Sequence, residues 1–160
     1  MSDFLYSVER EFDLPVDMLW AAWTDPVALE EWYHGTEHSV LPGTMQSDAV
    51  EGGIWTVAID VPEDDFVAYF YGRYTKVVEN LRLEHTLAYT ESAEEFAARD
   101  ESAPHHRIVV EFEARAFRSW VKFSQYGELP EDQAVQAQAG MESYFDSLGQ
   151  FLDEWQASQP

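Results

Sequence analysis

Apolar and polar residues alternate along residues 5 to 12 (LYSVEREF), which predicts a strand with Tyr6, Val8, Arg10 and Phe12 on one face. Asp13 to Pro15 ends that pattern, and the period changes to three and four. Val16, Leu19, Trp20 and Trp23 then recur at helical spacing behind Pro15, a residue suited to a first helical turn. Thr24-Asp25-Pro26 closes this helix and opens a second, with Asp25 as a cap and Leu29, Trp32 and Tyr33 as its apolar stripe.

A β region follows, punctuated by turns. Gly52-Gly53 precedes IWTVAIDV, Pro62 to Asp65 forms a turn, and FVAYFYGRYTKVV reads as a long strand. Glu79-Asn80 leads into LRLEHTLAYT, in which Leu81, Leu83, His85, Leu87 and Tyr89 share a face. Residues 91 to 106 are polar and acidic and read as an extended hairpin loop, with room for a helical turn around Phe96. RIVVEFEARA and FRSWVKFSQY form two more strands, the second with Val121 and Phe123 on one face. From Pro130 to Trp155 an unbroken stripe runs through Ala134, Ala137, Met141, Tyr144, Phe145, Leu148, Phe151, Leu152 and Trp155. That pattern predicts a helix of roughly 25 residues, ~37 Å long at 1.5 Å per residue. One antiparallel sheet of six or seven strands, two short helices and one long helix make an α+β layer architecture. No repeat or linker divides residues 1 to 160, so a single domain is expected.

Several short motifs occur in an order that resembles the SRPBCC (START/Bet v 1-like) superfamily. More narrowly, the chain resembles the branch homologous to the C-terminal domain of the Hsp90 ATPase activator. The matching pieces are Arg10-Glu11-Phe12 with Leu14-Pro15, then Leu19-Trp20, Ala22-Trp23-Thr24-Asp25-Pro26, Leu29 and Trp32-Tyr33. They continue with Glu51-Gly52-Gly53, Trp55, Gly72-Arg73-Tyr74, Val77-Val78 and Arg82-Leu83. Gly140, Tyr144, Leu148 and Leu152 complete them, so the resemblance spans residues 5 to 155. It implies a helix-grip fold, in which a curved antiparallel sheet wraps the long C-terminal helix. A cavity lies between the two, roofed by the short helices. Members of the family bind hydrophobic or aromatic small molecules, contact Hsp90, or act as cyclases or aromatases. Where the family often has Gly-Trp on the last helix, this chain has Gly140-Met141, and an adaptable thioether in place of an indole reshapes that end of the cavity. The acidic insert at 91 to 106 is also longer than a minimal family hairpin.

Composition sharpens the picture at two points. Aromatic residues are 15% of the chain, with 10 Phe, 8 Tyr and 6 Trp, more rings than a minimal core of this size needs. Trp20, Trp23 and Phe12 are assigned to structural core. The expected pocket lining is Trp32, Tyr33, Trp55, Phe70, Tyr74, His85, Tyr89, Phe112, Phe123, Met141, Tyr144, Phe145 and Leu148. Charge is the second point. Thirty-one Asp and Glu face nine Lys and Arg, a net charge of -22, and the only lysines are Lys76 and Lys122. Such a surface repels phosphate backbones and anionic lipid, so neither nucleic acid nor membrane is an expected partner. It is either a solvated surface tuned to a salty cytoplasm or a docking face for a basic protein. No apolar stretch is long enough to span a bilayer, and the first residues lack a basic region followed by an apolar one. A cytoplasmic location is expected.

Candidate chemistry is sparse. With no cysteine there is no disulfide, thiolate metal site or cysteine nucleophile. His34, Glu37 and His38 spell an inverted zincin motif, but Gly35 within it argues for a loop, where the two imidazoles would not project together. His105 and His106 are adjacent at a strand start and point to opposite faces. No metal or cofactor is expected. His85, among leucines, is either a satisfied interior residue or a contact to ligand; in an enzyme it is the candidate general acid or base. Arg10 and Arg73 could select an anionic group, or pair with Glu9, Glu11 or Glu113. The leading function is binding of an apolar or aromatic small molecule without catalysis. The alternatives are an Hsp90-activator-like interaction module with the acidic face docking a partner, and a polyketide cyclase-like enzyme.

Overall fold

The computed structural model describes residues 3 to 158. Strand β1 (Asp3–Phe12) leads into α1 (Val16–Thr24) and α2 (Pro26–Trp32). Two short strands, β2 (Ser39–Val40) and β3 (Gln46–Ser47), precede β4 (Ile54–Val61). The long strands β5 (Phe66–Val78) and β6 (Arg82–Thr90) are followed by α3 (Ala93–Ala98), β7 (His106–Arg115), β8 (Arg118–Gly127) and α4 (Glu131–Ala157). Every pairing is antiparallel, in the order β1-β8-β7-β6-β5-β4-β2, with β3 also on β4. The sheet therefore closes its first strand onto its last and curls around α4.

The two corner helices form where their sequence signals stand. Asp25 caps α2, its carboxylate accepting from the Val27 amide at 2.9 Å, and Pro26 occupies the first turn. The Trp32 indole N–H donates to the Ala22 carbonyl at 2.8 Å and ties the helices together. Trp23 sits at the centre of the core, edge-on to Trp32 at 4.7 Å and to Phe145 at 5.9 Å. The α4 stripe buries Met141, Phe145, Leu148 and Leu152 against the concave face.

The sheet bends where its register slips, between Phe4 and Tyr6 on β1 and between Tyr74 and Lys76 on β5. Gly72 lets β5 approach β6 closely, because a Cβ there would lie 2.0 Å from the Thr86 carbonyl oxygen.

The structure extends one expectation and changes two, the partners of Arg10 and Arg73. Residues 91 to 106 connect β6 to β7 with a helical turn around Phe96, and beyond that expectation they fold back as a flap. Ser92 caps α3, Phe96 packs on Tyr69 at 4.9 Å, and the Tyr71 hydroxyl donates to the Asp100 carbonyl on the outer face of the sheet. Arg10 pairs with Glu142 and Asp146 of α4, not with its strand neighbours, and its guanidinium lies 5.6 Å from the Phe145 ring centroid. Alternation explains this: Glu9 and Glu11 point to the opposite face, where Glu11 serves Arg115 and Arg118. Arg73 likewise faces outward, held by Glu101 and the Gly52 carbonyl.

Candidate functional site

Small side chains on α4 create the site. Ala137 and Gly140 stand where longer residues would span the gap between helix and sheet, and a cavity of about 220 Å³ remains there. Ring and aliphatic walls come from four elements and the residue closing α2: Phe70 on β5, Leu87 on β6, Phe123 on β8, Met141 and Tyr144 on α4, and Tyr33. Tyr6 on β1 and Gln125 on β8 complete the lining. Tyr33 and Tyr144 meet edge to face at 5.1 Å, and Tyr6 stacks on Phe123 at 6.2 Å.

The polar groups of this cavity are neutral. The Tyr6 hydroxyl donates to the Gln125 side-chain oxygen at 2.6 Å, and the Gln125 amide donates to His106 Nδ1 at 2.7 Å. Burial pushes the phenols of Tyr6, Tyr33 and Tyr144 above the ordinary tyrosine value, and the neighbouring phenols reinforce this for Tyr6 and Tyr33. All three are uncharged donors at neutral pH. Among the described residues, the Tyr33 and Tyr144 hydroxyls have no protein partner. They can hydrogen-bond an oxygen brought in by a ligand.

Five of the residues expected in the pocket line this space: Tyr33, Phe70, Phe123, Met141 and Tyr144. The others lie elsewhere, and packing explains each. Trp32 is consumed by its bond to α1. Phe112 packs under Trp20 at 5.2 Å and near Trp23. Phe145 and Leu148 are fully buried, and Phe145 lies against Trp23. Trp55, Tyr74 and His85 form a separate cluster. The His85 ring stacks on Trp55 at 4.5 Å and meets Tyr74 edge-on, and Tyr74 donates to Ser47, which donates in turn to the Thr24 carbonyl. Tyr89 is half exposed, and its hydroxyl donates to Glu91.

His85 therefore does not line the cavity. Its Nδ1 donates to the Thr86 carbonyl at 2.8 Å, and burial pushes its pKa down to about 4, so the ring is neutral. Sequence reasoning missed Tyr6, Leu87, Gln125, Ala137 and Gly140. The available signal was a small residue within the α4 stripe for Ala137, and for Gly140 its place beside Met141.

The remaining histidines are held separately. Helix α2 ends at Trp32, so residues 34 to 38 are not helical. His34 bonds the Glu31 and Gly35 carbonyls, while His38 bonds Glu63. His105 donates to the Ala103 carbonyl, away from the His106 contact with Gln125. No group of three or more metal-ligating side chains forms among the described residues. No helix among them is long and apolar enough to cross a membrane.

A curled antiparallel sheet, a long C-terminal helix and a ring-lined space between them define a helix-grip protein of the SRPBCC type. The sequence model for Activator of Hsp90 ATPase homolog 1-like protein matches residues 13–153, and the chain belongs to that family. Solved structures agree with the fold. A Silicibacter pomeroyi protein of the same family superposes with a TM-score of 0.78 at 16% identity, over 92% of this chain and 96% of that one. A Staphylococcus epidermidis protein gives 0.74 at 23% identity, over 92% and 88%. DynU16, a protein in the dynemicin biosynthetic locus, gives 0.66 at 17% identity over 94% of this chain but 47% of its own length. No curated protein matches the sequence.

Proposed function

We propose that this protein binds a small, uncharged aromatic molecule bearing an oxygen, held between the sheet and α4 without being chemically changed. One observation carries the reading: the cavity is lined by two phenols, Tyr33 and Tyr144, whose hydroxyls no group among the described residues engages. An apolar cavity of about 150 Å³ accommodates benzene, so about 220 Å³ suits a single ring carrying a few further atoms. The rings supply area and dispersion, and the hydroxyls fix orientation. Burying about 180 Å² of apolar ligand surface contributes roughly 4.5 kcal/mol before association costs. His85 has no part in this reading, because it is packed against Trp55 and Tyr74.

The test is a thermal-shift series with phenol, 4-ethylphenol, acetophenone and ethylbenzene, repeated on Tyr33→Phe and Tyr144→Phe. The oxygenated rings should raise Tm in the wild-type protein, and each variant should lose about tenfold in affinity for them, the worth of one hydrogen bond. Ethylbenzene should bind all three proteins alike. If none of these compounds moves Tm, the reading is wrong.

A further inference from the structure

A second space adjoins the first. A cleft of about 380 Å³ opens between the end of the acidic flap and the start of α4. Phe70, Leu87 and Gln125 line both the inner cavity and this outer cleft, so their side chains are the partition between the two. Gln125 spans it, bonding Tyr6 on the cavity side and His106 on the cleft side. Beyond the partition, Tyr89 and Leu129 supply apolar wall, and Tyr89 packs against Phe70 at 5.2 Å.

We propose that cavity and cleft are one bipartite site, whose ligand is a ring carrying an unbranched, uncharged apolar tail of several carbons. The inference rests on the ring-binding reading above and extends it to the rest of the ligand. The ring occupies the inner cavity against Tyr33 and Tyr144. The tail passes Leu87 and Phe70 and lies along Tyr89 and Leu129. Its uncharged character follows from the surroundings. Among the described residues no lysine or arginine lines the cleft, whose polar side chains beyond Gln125 are His105, His106 and Gln133. Tyr89 is already engaged by Glu91, and the net charge of -22 opposes an anionic tail. The same geometry accounts for Tyr89, a large aromatic left half exposed near the end of β6, as the outer wall of the site.

Calorimetric titration of the whole protein with phenol and with 4-ethyl-, 4-butyl- and 4-hexylphenol tests this. Binding should strengthen by about fourfold per added methylene through the hexyl member, as the tail enters the cleft. Tyr89→Ser should shrink the hexyl-to-ethyl affinity ratio several-fold, and Tyr89→Phe should restore it. An affinity that rises to 4-ethylphenol and then levels or falls overturns the bipartite site while leaving the ring-binding reading intact. So does a Tyr89→Ser ratio equal to that of the wild type, or tighter binding of a carboxylate-ended tail of equal length. Failure of phenol and every homologue to bind overturns both.

Discussion

Replacing His85 with phenylalanine should flatten the acid side of the stability curve. The wild-type ring is buried and neutral, stacked on Trp55, with a pKa of about 4 against 6.5 in the unfolded chain. Because the folded value is the lower one, the contribution is fully present above about pH 6.5 and is lost as the pH falls toward 4. The unfolded chain gains a proton there that the native ring refuses. The loss reaches about 2 kcal/mol near pH 5 and about 3 kcal/mol near pH 4, at 1.36 kcal/mol per unit of separation. The pI is close to 4.2, where a chain without net charge tends to associate, so the measurement belongs near pH 5. Urea unfolding at about pH 5 and pH 7.5 isolates the effect, because the carboxylates titrate alike in both proteins and cancel in the difference. His85→Phe keeps the stack on Trp55 but loses the bond to the Thr86 carbonyl, which costs about 1 kcal/mol at both pH values. The wild-type protein should therefore lose about 2 kcal/mol more than the variant between the two conditions. Equal losses would refute a buried, neutral His85.

Trp32→Phe removes the indole bond to the Ala22 carbonyl and leaves a small void under the corner helices. It should cost about 2 kcal/mol, or roughly 4–8 °C of Tm by calorimetry, and an unchanged Tm would mean that the bond does not hold α1 to α2. At alkaline pH the buried phenols of Tyr6, Tyr33 and Tyr144 should act in the opposite sense from His85. Their folded values are raised above the ordinary 10.0, so the stability they carry is full below that pH and falls as the pH climbs past it. Tyrosinate absorbance from these residues should appear together with unfolding, and a smooth rise in the still-folded protein would contradict their burial.

Pattern alone located the long elements, because a strand or helix with one buried face must repeat its apolar residues at the period of its backbone. The segments IWTVAIDV and FVAYFYGRYTKVV form β4 and β5 at the residues where their alternation runs, and the α4 stripe places Met141, Phe145 and Leu148 against the sheet. Asp25-Pro26 specified the corner between α1 and α2 through local capping chemistry, which needs no distant partner. The division of rings between packing and cavity lining was not legible. Tyr33 and Trp32 are neighbours in sequence with the same amphipathic character, yet one lines the open space and the other is locked onto α1. Arg10 shares its strand face with Val8 and Phe12, and only the position of α4 decided that its partners are Glu142 and Asp146. The elements and the faces they bury were written in the chain, since both follow from local periodicity and turn chemistry. The cavity, the phenols that line it and the seclusion of His85 come from tertiary packing, because an empty space exists only where side chains from β1, β5, β6, β8 and α4 fall short of one another.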